Sequence, residues 1–527
     1  MSEIAITSAV IAGIVLLFMW GRLPVEVVAI GAAVVLWATG VLTLEQSLAG
    51  FGDATVIFIA SLFVVSESLE ATGVTAWAGQ QLVNRAGASH TRLLVLTMAV
   101  VAVLTAIITV NAAVAALLPV VVVAANRLGK TPSKLMIPLV FGAHAGSQLA
   151  LTGSNVNLLV SGAAEDYGGA PFAFFEFGLV GVPLLLGTIA IVVLLGDRLL
   201  PVRTPRKISA DLSRHARTLV ERYDIGAGGV AESIAFNREI GLAEVVIPPR
   251  SPFVGEPVFR GMLTERGDLV VAAIQRRGED IGDREVELAV GDVLLLQGPW
   301  AALEEKAGDP GVLAVDEPEI VRRQAVPLGL RAWEAILVLA GMVLLLVTGV
   351  VPPAVAGLLA AGAVIVLGIL SIEQTYRAIN WTTVVLVAAL LPLSTAMFET
   401  GAAELVGNLL IDVVGGLGPY GLLIGLFVVT AVFGQLISNT ATALIVIPIG
   451  VAAADELGVD IRPVLMTISV TAAAALLTPV ATPVNLIAMG AAGYRFGDYW
   501  KLGILVMGVF FVVAVLLVPV FWPFQQV

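Results

Sequence analysis

Apolar runs of about 17–25 residues recur along most of this chain, the length a helix needs to cross roughly 30 Å of hydrocarbon. Such segments must satisfy their backbone amides internally, so the chain is expected to fold as a bundle of membrane-spanning helices. Composition agrees: 58% of its 527 residues are hydrophobic and 13% charged, with a mean hydropathy of +0.99, against roughly 45–50% apolar residues in a soluble chain. The start, MSEIAITSAV, carries no basic stretch and no small-residue cleavage site follows the first run, so the first span is expected to stay. There is no Cys, which excludes disulfides, thiolate metal sites and cysteine nucleophiles. A net charge of −12 argues against a nucleic-acid partner, which calls for a clustered basic face.

Polar residues are concentrated in one place. Residues 199–330 hold 16 of the 28 Lys and Arg and 21 of the 40 Asp and Glu, which marks a soluble domain inserted between two membrane halves, 1–198 and 331–527. Within it GLAEVVIPP, GDLVVAAIQRRG and GDVLLLQGP read as strands and PWAALEEKAG as a helix, giving a small α+β domain. GAGGVA at Gly226 fits a loose glycine-rich nucleotide loop, but no convincing strand precedes it. The runs Arg276-Arg277 and Glu304-Glu305 read as solvated faces.

The two halves superimpose in sequence. GVLTLEQSLAGF at Gly40 matches GILSIEQTYRAI at Gly368, Thr72-Gly73 matches Thr400-Gly401, Leu128-Gly129 matches Leu457-Gly458, and GSNVN ending at Asn157 matches ATPVN ending at Asn485. An offset held at 328 or 329 is an internal repeat of the kind that builds secondary transporters. The first half is expected to contain spans at 6–20, 24–43 and 54–73, a re-entrant hairpin at 92–127, and spans at 134–164 and 172–197. With the N-terminus outside, Arg22, Arg85, Arg92, Arg127, Lys130, Lys134 and Arg198 fall inside, while Glu45, Asp53, Glu165 and Asp166 fall outside. In the second half Arg331, Arg377, Arg495 and Lys501 fall inside and Arg462 outside. This layout meets the positive-inside rule almost everywhere, and an odd number of spans per half is expected to make the repeats inverted, the insert cytoplasmic and both termini external, in the cell (inner) membrane.

Polar residues interrupt the apolar runs at four matched places. Ser438-Asn439-Thr440, followed by Thr442, lies midway along a hairpin-length segment, and its mate is Thr109-Val110-Asn111-Ala112. Thr152 to Asn157, with Gly153 and Ser154, and Thr478 to Asn485, with Thr482, break the spans that follow. Gly and Pro there free carbonyls that can coordinate a small cation, and half-helix N-termini suit an anion. Ser, Thr and Asn in spans also serve as helix-packing glue, but coincidence of breaks with repeats points to a binding site. His144 has no repeat mate and reads equally as an accessory ligand or a packing residue.

At these residues the sequence resembles the divalent anion:sodium symporter family, within the ion-transporter superfamily that includes citrate and arsenite permeases. Ser438-Asn439-Thr440 matches that family's hairpin signature fully. Ala481-Thr482-Pro483-Val484-Asn485 matches its broken-helix signature except at the Gly and the second Pro. In the first half Val110-Asn111-Ala112 keeps the Asn, and Gly153-Ser154-Asn155-Val156-Asn157 keeps Gly, a hydroxyl and the last Asn. The resemblance implies that Thr109, Asn111, Gly153, Ser154, Asn157, Ser438, Asn439, Thr440, Thr482 and Asn485 hold sodium and a small anion, with His144, Thr442 and Thr478 as accessories. It further implies an elevator-like transport domain and a homodimer. The segment from about 240 to 315 resembles a TrkA-C domain, the C-terminal lobe of potassium-conductance regulators, which implies a small regulatory ligand.

The expected function is therefore sodium-coupled symport of a sulfate- or dicarboxylate-type anion, with sodium as coupling ion and no other cofactor. A proton-coupled or efflux permease of the same fold is one alternative. A potassium channel or uptake subunit is another, disfavoured because no TVGYG-like filter occurs. No nucleophile–base pair or metal cluster can be assembled from the membrane halves, so no enzymatic activity is expected.

Overall fold

A computed structural model of the chain describes residues 2–86, 89–127, 131–203, 240–264, 268–276, 279–281, 284–307, 309, 311–314, 329, 331–414 and 418–525. The Leu128-Gly129 repeat anchor, Lys130, the GAGGVA loop and Arg277 lie outside the described residues. Contacts divide the chain into two compact units: Met1–Leu69, Ala78–Ile208 and Trp333–Val527 form one, and Glu70–Trp77 with Ser209–Ala332 the other.

Among the described residues the first half runs through ten α-helices: α1 (Glu3–Trp20), α2 (Val25–Ala38), α3 (Leu44–Leu48), α4 (Ala54–Ala71), α5 (Val74–Ala86), α6 (His90–Ile107), α7 (Val110–Arg127), α8 (Met136–Gly146), α9 (Asn155–Asp166) and α10 (Gly178–Leu199). In the insert, strands β1 (Ile240–Val246), β2 (Pro257–Val258), β3 (Val270–Arg276), β4 (Glu279–Asp280), β5 (Val286–Glu287), β6 (Val293–Pro299) and β7 (Leu313–Ala314) surround α11 (Trp300–Ala307). The second half contains α12 (Ala332–Thr348), α13 (Pro353–Val366), α14 (Ile372–Ala378), α15 (Trp381–Glu399), α16 (Ala402–Val414), α17 (Gly418–Leu436), α18 (Asn439–Glu456), α19 (Ile461–Ala472), α20 (Pro483–Ala492) and α21 (Trp500–Val512), and ends in a π-turn and α22 (Val518–Phe521). Among the described residues seven helical stretches are long and apolar enough to cross a membrane.

Local chemistry repeats with the helices. Thr43 and Gln46 form a reciprocal capping box on α3, and Ser371 and Gln374 form the same box on α14, 328 residues later. Each box satisfies two orphan amides at a helix start. Gly40 and Gly368 both turn the chain at positive φ, 77° and 64°, immediately before these short helices, a conformation that glycine reaches without a Cβ clash. Two elements were not foreseen in the sequence: α5 and α16, each of 13 residues, follow the third span of their halves. They are too short to cross a bilayer upright, and their apolar spacing merges with the preceding run.

Helices α1, α2, α15 and α16 pack together, while α6 to α10 pack against α17 to α21, with α18 also meeting α15 and α16. In the insert, a five-stranded antiparallel sheet of order β4-β3-β6-β1-β7 carries α11 against β1 and β6. Ala243, Val245, Val271, Ile274, Leu294 and Leu296 build its apolar core. A cavity of about 470 Å³ opens beside this core between Phe253, Met262, Leu294 and Lys306.

Candidate functional site

Each hairpin is broken by two non-helical residues, 108–109 in the first and 437–438 in the second. Between α6 and α7, Ile108 is extended and the Thr109 hydroxyl accepts the amide hydrogen of Ala112 at 3.3 Å. Between α17 and α18, Ser438 is extended and its hydroxyl accepts from the Ala441 amide at 3.3 Å. These two hydroxyls are N-caps at equivalent positions, each satisfying an orphan donor of the helix it opens. The structure therefore aligns Thr109 with Ser438 and Asn111 with Thr440, one residue away from the register in which Asn111 faces Asn439. The first hairpin keeps its cap hydroxyl and carries Val110 where the second carries Asn439.

Two polar atoms of the second tip stand out. Asn439 Oδ1 and Thr442 Oγ1 are buried and have no hydrogen-bond partner among the described residues, and Thr442 is wholly inaccessible. A buried polar group without a partner costs on the order of 1–3 kcal/mol. A native site tolerates this where a ligand supplies the missing contact.

The following breaks are organised around two fully buried amides, Asn157 and Asn485. Asn157 Nδ2 donates to the carbonyls of Ser147 and Ala150, both at 2.9 Å. Asn485 Nδ2 donates to those of Ala475 and Thr478, both at 2.9 Å. The two amides thus brace the same carbonyl positions at an offset of 328, the carbonyls that a broken helix frees. Ser154 and Thr482 cap the half-helices α9 and α20. A Cβ on Gly153 would lie 2.4 Å from the Ser147 carbonyl oxygen, so the break closes tightly on itself there.

Breaks and hairpins are tied together. Thr152 Oγ1 donates to the Ala106 carbonyl at 2.8 Å. In the other half Gln435 Nε2 donates to Ala474 O, its Oε1 accepts from the Leu477 amide, both at 3.0 Å, and the Thr478 hydroxyl donates to Gln435 O. Contacts also cross between the halves: Ser469 Oγ reaches Asn157 Oδ1 at 2.8 Å, and His144 Nε2 lies 3.3 Å from Asn485 Oδ1. Gln148 Nε2 donates to Asn157 Oδ1 at 3.0 Å, and Tyr499 OH donates to Asn485 O at 2.6 Å.

Thr109, Ser154, Ser438 and Thr482 therefore shape helix ends, and Asn157 and Asn485 shape the breaks. Asn111, Asn439, Thr440 and Thr442 remain as side chains whose polar ends are not used in the braces. Sequence reasoning missed Gln148, Gln435, Ser469 and Tyr499. The two Gln were detectable as amides within apolar runs, whereas Ser469 and Tyr499 sit beside no break and give no such signal. Among the described residues no carboxylate, ammonium or guanidinium belongs to this assembly, which suits a site that stabilises an ion by dipoles rather than by fixed charge.

Apolar helices folded around paired, polar-braced interruptions are the architecture of an integral membrane transporter. The citrate transporter family model matches residues 15–449 and 413–526, and the chain belongs to that family. It is 30% identical to the uncharacterized transporter YfbS of Escherichia coli, over 98% of both chains. Sodium/sulfate cotransporter 1 of Chlamydomonas reinhardtii is 26% identical over 50% of this chain and 30% of its own length. Among solved structures, the YdaH transporter of Alcanivorax borkumensis superimposes with a TM-score of 0.52 at 13% identity, covering 97% of this chain and 100% of that one, which shows a shared fold.

Proposed function

We propose that the protein is a sodium-coupled symporter of a small anion of the sulfate or dicarboxylate type. The observation that carries this reading is the pair of buried, unpartnered oxygens Asn439 Oδ1 and Thr442 Oγ1 at a hairpin tip, which are hard ligands of the kind a sodium ion takes. In this reading Thr109, Asn111, Gly153, Ser154, Asn157, Ser438, Asn439, Thr440, Thr482 and Asn485 form or shape the site, with His144, Thr442 and Thr478 beside it. Bound sodium supplies the positive charge that the neutral site lacks, and this makes anion binding depend on it. The relative named a sodium/sulfate cotransporter supports both the ion and the substrate class.

The halves 1–198 and 331–527 act as inverted repeats, and α6 to α10 with α17 to α21 move as an elevator against α1, α2, α15 and α16, the grouping in which these helices pack. The protein works as a homodimer in the inner membrane. Both termini are external and the insert, 199–330, is cytoplasmic. Its TrkA-C-like part, at about 240–315, regulates transport through a small ligand, for which the 470 Å³ cavity offers room.

The test is uptake of a radiolabelled anion panel, including sulfate, succinate and citrate, into proteoliposomes with sodium or choline outside. Sodium-dependent uptake of one of these is the expected result. Uptake driven by a proton gradient alone would replace sodium with protons, and uptake of potassium alone would overturn the anion reading.

A further inference from the structure

The four hydrogen bonds of Asn157 and Asn485 fix which way each amide faces. Both Nδ2 hydrogens of Asn485 go to carbonyls, which can only accept. Its Oδ1 therefore faces His144, and because that oxygen can only accept, the His144 ring must carry a hydrogen on Nε2. Asn157 is oriented by the same logic, and its Oδ1 accepts from the Ser469 hydroxyl. His144 stands on α8, the half-helix before the first break, and Ser469 on α19, the half-helix before the second. Each thus reaches across to the amide that braces the other half's break.

We propose that His144 and Ser469 are reciprocal positioning residues that lock the two breaks into one unit, each setting the geometry of the break it does not belong to. His144 holds Asn485 and through it the Ala475 and Thr478 carbonyls; Ser469 holds Asn157 and through it those of Ser147 and Ala150. Both are almost fully buried, at 2% and 0% exposure, so neither bond is replaced by water when it is lost. The functional consequence rests on the reading that the breaks form the ion site: a ligand drawing one set of carbonyls together is felt by the other set through these two bonds.

Hydrogen exchange measured by mass spectrometry on the purified full-length protein tests this, without sodium or substrate. His144→Ala should speed exchange about ten-fold at residues 475–482, the effect of one lost buried hydrogen bond, and leave 147–154 unchanged. Ser469→Ala should do the converse. His144→Gln, whose amide can donate from a similar distance, should restore protection at 475–482. Loosening confined to the half that carries the substitution, equal loosening of both breaks, or a Gln variant no better protected than the Ala variant would each overturn the proposal. A crossed pattern in a protein without sodium-driven uptake keeps the brace and removes the symport reading; sodium-driven uptake with an uncrossed pattern does the reverse.

Discussion

Alanine at Gly181 or Gly503 should unseat the last helix of its half from the neighbouring break. A Cβ at Gly181, in α10, would lie 2.0 Å from the Gln148 carbonyl oxygen, and one at Gly503, in α21, 2.2 Å from that of Leu476. Carbon approaches such an oxygen to about 3.3 Å, so the helix must retreat by roughly 1 Å. Alanine alone favours a helix over glycine by about 1 kcal/mol, whereas overpacking an interior costs about 1–3 kcal/mol. The obstacle here is backbone that cannot swing aside, which puts the cost at the upper end and leaves a net loss of about 2 kcal/mol for each variant. Gly508, also in α21, has nothing within 4 Å of its would-be Cβ and serves as control. Thermal unfolding in detergent, followed by tryptophan fluorescence, should place Gly181→Ala and Gly503→Ala below the parent protein and Gly508→Ala at or above it. Equal midpoints for all three variants would refute the close approach and with it the seating of both terminal helices on the breaks.

Asn439→Ala should abolish sodium-dependent uptake, while Asn111→Ala should weaken anion affinity more than sodium activation; a sodium titration of uptake that reverses this order reassigns the two hairpins. Single cysteines at Glu165 and Arg462 should react with an impermeant thiol reagent in whole cells while one at Arg276 should not, and labelling at Arg276 alone would invert the orientation. In the insert, burial pushes the Asp292 carboxyl up, but hydrogen bonds from the Arg276 guanidinium and the Ala289 amide outweigh it and hold the group below the ordinary aspartate value. A depressed carboxyl stabilises the fold above its unfolded value of about 3.9 and ceases to do so as pH falls through the folded value. Asp292→Asn should therefore speed proteolysis of the insert at pH 7, and the difference from the parent should shrink only at acid pH.

The apolar helices, the β-rich segment and the interruptions between helices are legible in sequence because each leaves a local signature: long apolar runs, a cluster of charge, a hydroxyl or Asn where a run is interrupted. Thr43 and Ser371 are readable as caps for the same reason, since Gln follows each at the spacing a capping box requires. What was not legible is what each polar side chain touches. Asn157 and Asn485 read as ligands from their place in a break, yet their donors hold the chain's own carbonyls. The one-residue shift at the first hairpin is invisible for a similar reason: Thr109 and Val110 both suit an apolar run, and only the bond from Ala112 shows which of them caps the helix.

A second correspondence was hidden because the offset itself changes. Past Asn485, α20 is two residues shorter than α9 and the connection to the last helix four shorter, so equivalent positions now differ by 322 instead of 328. At that offset Gly181 pairs with Gly503, and Glu176 pairs with Asp498. Glu176 accepts from the Ala173 amide and Asp498 from the Arg495 amide, each three residues back and at 2.8 Å. Each then takes a guanidinium from beyond its own half: Arg462 of the second half on Glu176, and Arg203, in the segment that follows α10, on Asp498 through two bonds of 3.0 and 3.1 Å. Glu176 also accepts from the Trp522 indole. Neither carboxylate lies near a motif, and their guanidinium partners are not equivalent in sequence. Only the fold brings out that α10 and α21 are entered through the same turn and fastened across the halves by the same chemistry. The His144 and Ser469 contacts follow a similar rule: in three of the four cases the residue that makes the tie comes from the other half, and in the fourth, Arg203, from the segment just past α10, so partners are exchanged at the centre and at the start of both terminal helices.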